Sequence, residues 1–263
     1  MKDIKQLIDA LHLEDLTNES HPSIFDDNEG YNVLIVRLPV ISSELGARSL
    51  GFVFTENNSY FYEKEKKEFK EFDNVFSSPY SIIDKAVDRV LKSFSKYQEK
   101  ILDMEESLYE NKTNKDFLHS WLEIKLEILR IERILIRTAN TMEEFIDFYT
   151  NAENFPINNY MDIHEHIERT MRSATLQLSK LDYLYSFYNA KSNDKMNKMI
   201  YILTIISAIF LPLNLVVGFF GMNTTSLPFS TGENGTYYAT SIIITLIIST
   251  SAIVTMWRKK IEG

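Results

Sequence analysis

Two long runs without a formal charge, Met199 to Gly221 and Tyr237 to Trp257, constrain this chain more than anything else in it. As an α-helix the first would rise about 33 Å, enough to cross a hydrocarbon core of roughly 30 Å. The second carries "IIITLIIST" at its centre and reads the same way. Both lie far from the N-terminus, so neither is an ordinary secretory signal peptide. A buried helical hairpin of a soluble protein is the competing reading.

The flanking charges give the orientation. Lys191, Lys195 and Lys198 precede the first run, and Arg258, Lys259 and Lys260 follow the second. Basic residues collect on the cytoplasmic side of a membrane, so both termini are expected there, with the loop 222–236 outside. Tyr201, Phe219, Phe220, Tyr237, Tyr238 and Trp257 fall near the expected interfaces, where amphipathic rings settle. The formal net charge is -9, which argues against a nucleic-acid partner. With no cysteine, disulfides and thiolate metal ligands are excluded. No constellation of nucleophile, acid and base points to an enzyme or to a catalytic cofactor.

Before the apolar runs the pattern changes once. "LHLEDLTNE" reads as a short helix, "YNVLIVRLPV" as a strand, and "LGFVFTENNSYFY" as a hairpin turning near Asn57 and Asn58. From Ser81 the strand signals fade. Trp121, Ile124, Ile128, Ile131, Leu135, Thr138, Met142 and Phe145 recur at alternating steps of three and four, the seam of a helix packing in coiled-coil fashion. After a break at 154–159, Ile167, Met171, Ala174, Leu178, Leu181, Tyr185 and Tyr188 continue the pattern, giving two antiparallel helices. No Pro or Gly lies between Met161 and Phe210, so the second helix is expected to run on into the first span for roughly 90 Å, unless 189–193 forms a break. The expected organisation is a small α/β cytoplasmic domain at 1–78 and a helical cytoplasmic region with its stalk at 79–198. The first transmembrane helix follows at 199–221, the external loop at 222–236, the second transmembrane helix at 237–257 and a basic cytoplasmic tail at 258–263.

The first span has a distinctive face. From Asn197 the same steps give Ile200, Thr204, Ser207, Leu211, Asn214, Gly218 and Gly221, whereas Ile202, Ile205, Ile206, Ile209 and Phe210 supply apolar surface. In lipid a polar or small face turns toward another helix or a water-containing cavity, so it is either a packing seam or a pore wall. Two spans cannot enclose a water-filled route, so a pore requires several copies around an axis. Ile200 and Leu211 would then form apolar rings able to gate by dewetting. Gly218 and Gly221 permit close backbone approach, and Asn223 would place carboxamide oxygens at the mouth, suited to water around a cation that dehydrates reluctantly, such as magnesium. Asn223 is equally a good helix terminator.

The segment "YILTIISAIFLPLNLVVGFFGMN", the second span behind it, the end "WRKKIEG" and the upstream "LHLEDLTNESHPSIFDDNEGYNVLIVRLP" closely resemble the CorA family of magnesium and other divalent-cation transporters, which includes the ZntB-like zinc transporters. Three letters alone would be a weak match; placed directly after this span, Gly-Met-Asn is a strong one. The resemblance implies a CorA-like homopentameric funnel in a bacterial or archaeal inner or plasma membrane, with the first membrane helices lining the pore. It aligns Gly221, Met222 and Asn223 with the family signature, Asn223 with the ion-selecting asparagine, and Asn197 with an asparagine at the cytoplasmic end of the pore. Asn214 falls where the family often has a further polar residue, and Pro212 matches a proline within the span. Mg2+ is the implied substrate and a regulatory ligand between cytoplasmic domains, with Co2+, Ni2+ or Zn2+ as other substrates; the implied partners are further copies of the chain, membrane lipids and divalent ions.

The chain also departs from the family. It is short, and Ser186 stands where some members carry an acidic sensing residue, with Asp182 and Asp194 nearby but shifted. The outer loop "TTSLPFSTGENG" holds a single acid, Glu233, either a cation attractor or a solubilising residue. His164-Glu165-His166 lacks the spacing of a zinc site and reads as a solvated helix face. His119 is placed to cap a helix or contact Trp121. Asp84, Asp88, Asp103 and Asp162 either are solvated or draw cations within an oligomer. Transport of hydrated magnesium is the leading function; zinc transport, with or without proton coupling, and a non-transporting two-span structural or signalling oligomer are the rivals.

Overall fold

A computed structural model describes residues 4–42, 44–110, 116–222 and 234–262. The chain divides into two compact units, Met1–Ser186 and Phe187–Gly263.

The first unit opens with two short helices, α1 (Ile4–Leu7) and α2 (Ala10–Thr17), and five strands, β1 (Ile24–Asn28), β2 (Tyr31–Ile41), β3 (Leu45–Phe54), β4 (Ser59–Glu63) and β5 (Glu68–Phe72). Every strand pairs antiparallel with its neighbour in sequence, giving the order β1-β2-β3-β4-β5. β2 is nearly buried along its length, which explains its continuous apolar run: both sides of the sheet are covered. On one side Tyr31, Val33 and Ile35 join Val53 and Tyr62 beneath Ile8 and Leu16 of the short helices. Gly51 permits that approach, because a Cβ there would lie 2.6 Å from the Leu16 side chain. On the other side Leu34, Val36, Phe52 and Phe54 are buried, where α3 and α4 pack on β2.

The expected helix, strand and hairpin all form. Phe54 faces Ser59 across the β3–β4 turn, closed by the Thr55 N–H donating to the Asn58 carbonyl at 2.9 Å. β1 and β5, spelled "IFDDN" and "EFKEF", are additional edge strands; their charges suit an exposed edge that must not pair further.

Three long helices follow: α3 (Ser77–Tyr109), α4 (Phe117–Tyr149) and α5 (Ile157–Phe220), the last preceded by Pro156, a residue well suited to a helix start. On α4 the expected seam from Ile124 to Phe145 is buried, and α3 adds a third from Ile83 through Val87, Val90, Phe94, Tyr97, Ile101 and Met104 to Leu108. On α5 the buried line is Tyr160, Ile163, Ile167, Thr170, Ala174, Gln177, Leu181 and Leu184. This corrects the expectation at Met171, Leu178 and Tyr185: the strict three-four alternation from Tyr160 takes Thr170, Gln177 and Leu184 inward instead. Each fully buried Ile or Leu on these seams contributes about 1.5–3 kcal/mol.

Polar ties fix the bundle's register. The Tyr97 hydroxyl donates to Glu127 at 3.0 Å, and the Gln98 amide donates to Ser173 at 3.0 Å. Trp121 Nε1 donates to the Leu181 carbonyl at 2.8 Å, while its ring stacks on Tyr185 at 4.6 Å. Tyr185, not His119, is therefore the ring partner of Trp121, and His119 lies exposed. At the sheet end of the bundle Phe54, Phe76, Phe145, Tyr149, Phe155 and Tyr160 form an aromatic cluster. Tyr160, fully buried, donates its hydroxyl to the Phe76 carbonyl at 2.9 Å.

The second unit holds the rest of α5 from Phe187 and helix α6 (Gly235–Glu262). No break interrupts α5 at 189–193 or at Pro212.

Candidate pore face

Among the described residues, α5 is the one helix long and apolar enough to cross a membrane, and its apolar window is wholly unburied. α6 contains a shorter apolar stretch, Thr240–Ala252. Beyond Tyr201 the half-shielded positions of α5 are Ile205, Ser207, Ala208, Ile209, Pro212, Leu213, Val216 and Phe220. Apart from Ser207, these gather on one side of the helix. Ile242, Ile243, Leu246 and Thr250 are the corresponding half-shielded positions of α6.

The polar and small residues fall roughly opposite that apolar stripe. Asn197, Thr204, Asn214 and Gly218 are exposed, as are Ile200 at 54% and Leu211 at 68%. Thr204 has its hydroxyl turned back onto the Ile200 carbonyl at 2.9 Å, which satisfies it without a neighbour. Pro212 has no N–H, so the carbonyl of Ala208 is released from its usual intrahelical bond.

The helix ends where the signature begins. The Gly221 N–H donates to the Val217 carbonyl at 2.8 Å, and a Cβ on Gly221 would stand 2.9 Å from that same oxygen. Glycine is thus a local requirement at the helix end. Gly218 has open space around it. Met222 is exposed. Asn223 and Glu233 lie outside the described residues.

The two regulatory candidates differ. Asp182 already pairs with Lys125, Nζ to Oδ1 at 2.6 Å, so a cation there would compete with a fixed ammonium group. Asp194 is exposed on α5. Among the described residues no group of three or more histidines and acids is arranged to hold a metal ion.

One acidic cluster does form, between α3 and α5 of the first unit. His166 Nε2 lies 3.7 Å from Asp162 and Nδ1 lies 4.0 Å from Asp88, so His166 faces carboxylates rather than being simply solvated. Asp84 is held above the usual carboxylate range by burial and then by Asp88 and Asp162, with His166 acting in the opposite sense. The spacing Asp84, Asp88 shows two acids on one face of α3; nothing local reveals that Asp162 and His166 arrive beside them.

Comparison with known proteins places the chain. The family model described as CorA-like Mg2+ transporter protein matches residues 2–260. The chain is 23% identical over 150 residues to the cobalt/magnesium transport protein CorA of Thermotoga maritima, covering 57% of this chain and 42% of that protein. It is 21% identical over 173 residues to the zinc transport protein ZntB of Yersinia enterocolitica, covering 64% and 51%. It thus spans about half the length of these curated relatives. In fold it is similar to the complete structure of the CorA magnesium transporter from Methanocaldococcus jannaschii, with a TM-score of 0.70 at 16% identity over 95% of this chain and 84% of that one. With a family match spanning almost its whole length, the chain belongs to the CorA-like Mg2+ transporter family.

Proposed function

We propose that this chain is one subunit of a homopentameric, channel-like transporter that moves hydrated magnesium, and with it cobalt or nickel, into the cytoplasm. The observation that carries the reading is the exposed face of Asn197, Ile200, Thr204, Leu211, Asn214 and Gly218, opposite the half-shielded apolar stripe and leading straight into Gly221-Met222-Asn223. Polar groups in a membrane helix are satisfied by other helices or by water, and symmetric copies of this face would give both.

In this reading 199–221 and 237–257 are the two spans, 222–236 is external, and 1–198 and 258–263 are cytoplasmic. Asn223 carboxamides meet the hydrated ion at the outer mouth; Ile200 and Leu211 form the apolar constrictions. Neutral oxygens bind the ion's water shell without holding the ion as rings of carboxylate would. An inside-negative potential favours entry by about 4.6 kcal/mol for a divalent ion per 100 mV.

The relationship to ZntB supports a second reading, zinc transport driven with or without protons. Flux of magnesium, zinc, cobalt and nickel into proteoliposomes, each with and without a proton gradient, separates the two. Magnesium entry independent of the proton gradient and altered in selectivity by Asn223→Ala is expected. Proton-dependent zinc flux without magnesium flux would favour the second reading, and a monomer or dimer as the native state would defeat the pore.

A further inference from the structure

A cavity of about 890 Å³ opens between the β1–β2 edge and α4 in the first unit. Arg37 of β2 and Arg133 and Arg137 of α4 line it, with Ser23, Leu129 and Ile136. The chain is acidic, at -9, yet among the described residues none of these three arginines forms an ion pair. Two acids also line the wall: Glu132, which accepts from the Thr175 hydroxyl at 2.5 Å, and Glu144, so the three arginines outnumber the acids.

Two of the guanidinium groups are held in place by backbone. Arg137 Nε donates to the Ser23 carbonyl at 3.0 Å, and an Arg37 terminal nitrogen donates to the Ser20 carbonyl. Arg133 lies one turn before Arg137, on the same side of α4. Arg37 Nε is buried with no acceptor, and a buried charged donor without an acceptor is costly. Leu129 and Ile136, 37% and 45% exposed, add apolar surface to the wall.

We propose that this cavity binds a phosphate-bearing small molecule of nucleotide size. The oxygens of a phosphate or diphosphate supply acceptors for the terminal nitrogens of exposed Arg133 and Arg137, which suit such anions in geometry as well as charge, while Arg37 adds positive charge behind them. The apolar wall accepts the rest of the ligand, and the volume matches small-molecule sites of about 300–1,000 Å³. The site is independent of the transport reading, since every residue in it belongs to the first unit.

The test uses the full chain in detergent without divalent cations, titrated calorimetrically with ADP, pyrophosphate, inorganic phosphate and adenosine. Saturable binding of ADP, weaker binding of pyrophosphate and phosphate, and none of adenosine are expected. Arg133→Gln, which removes no hydrogen bond among the described residues, and Arg137→Gln should each weaken ADP about tenfold or more, with Arg130→Gln unchanged. Absence of saturable ADP binding, or equal affinity in Arg133→Gln and the wild type, overturns the proposal. So does an Arg133→Glu variant that falls to a smaller oligomer in a protein that binds no ADP, because the arginines would then serve carboxylates of a second copy.

Discussion

Ser23 and Thr138, 115 positions apart, meet hydroxyl to hydroxyl at 2.9 Å inside the first unit. Arg37 closes a ring with them: its N–H donates to Ser23 Oγ at 2.8 Å, and its carbonyl accepts from Thr138 Oγ1 at 2.6 Å. Thr138 Oγ1 also lies 2.9 Å from the Ile134 carbonyl, so its one proton serves carbonyl acceptors, of which Arg37 is the nearer, and the Ser23 hydroxyl donates to Thr138. Thr138→Val keeps the shape of the side chain but leaves the Ser23 proton and the Arg37 carbonyl without their partner. A loss of about 1–3 kcal/mol is expected, read as a lowered Tm of the detergent-solubilised protein. An unchanged Tm would mean that the ring contributes nothing net.

Gly221 and Gly218 should respond differently to alanine. The added Cβ at Gly221 meets the Val217 carbonyl of its own helix at 2.9 Å, whereas at Gly218 it meets nothing. If the chain transports magnesium as proposed, Gly221→Ala is expected to displace the start of the signature and reduce that flux about tenfold, a change of about 1.4 kcal/mol. Gly218→Ala leaves an isolated chain untouched, so in the proposed oligomer any loss of flux it causes measures crowding by neighbouring subunits.

Leu211 and Ile200 are more than half exposed on the polar side of α5. If they form dewetting constrictions, Leu211→Ser should raise resting ion flux by lowering the barrier to water. Enlarging the same position with Leu211→Phe should reduce it. Proteoliposome flux at low magnesium reads both; identical flux in the two variants would remove Leu211 from the gate.

The acidic cluster predicts a pH dependence of defined sign. Asp84 is raised above the ordinary carboxylate range by burial and by its acidic neighbours, so the folded state resists its ionisation. Its stabilising contribution is full below its unfolded value and is lost as pH rises through its higher folded value. Asp84→Asn removes that loss. Its Tm should exceed the wild type's at neutral pH and converge with it in acid, a comparison made by thermal melts across pH.

How much of this was legible depends on whether the signal is local. The α4 seam from Ile124 to Phe145 was readable because apolar side chains mark every step but Thr138. On α5 the same rule led to Met171, Leu178 and Tyr185, because their apolar side chains outweigh Thr170 and Gln177 to the eye, although those two are buried. β1 and β5 were hidden by charges that belong to sheet edges. The polar stripe from Asn197 could be drawn from spacing alone; on α5 its members other than half-shielded Ser207 are exposed, as are the apolar residues Ile202, Leu203, Phe210 and Leu215 off that line. The gatherings of Asp84 with Asp162 and of Arg37 with Arg137 join segments far apart in sequence, and no spacing rule could have found them.

The order of the sheet bears on how the protein is made. Each strand of the β1-β2-β3-β4-β5 meander pairs with the one synthesised just before it, so loop closure is short and pairing is fast. All five strands, ending at Phe72, leave the ribosome before Met199 is translated. The sheet can therefore zip while both apolar runs are still untranslated, so its pairing is complete before those runs can compete for its apolar faces.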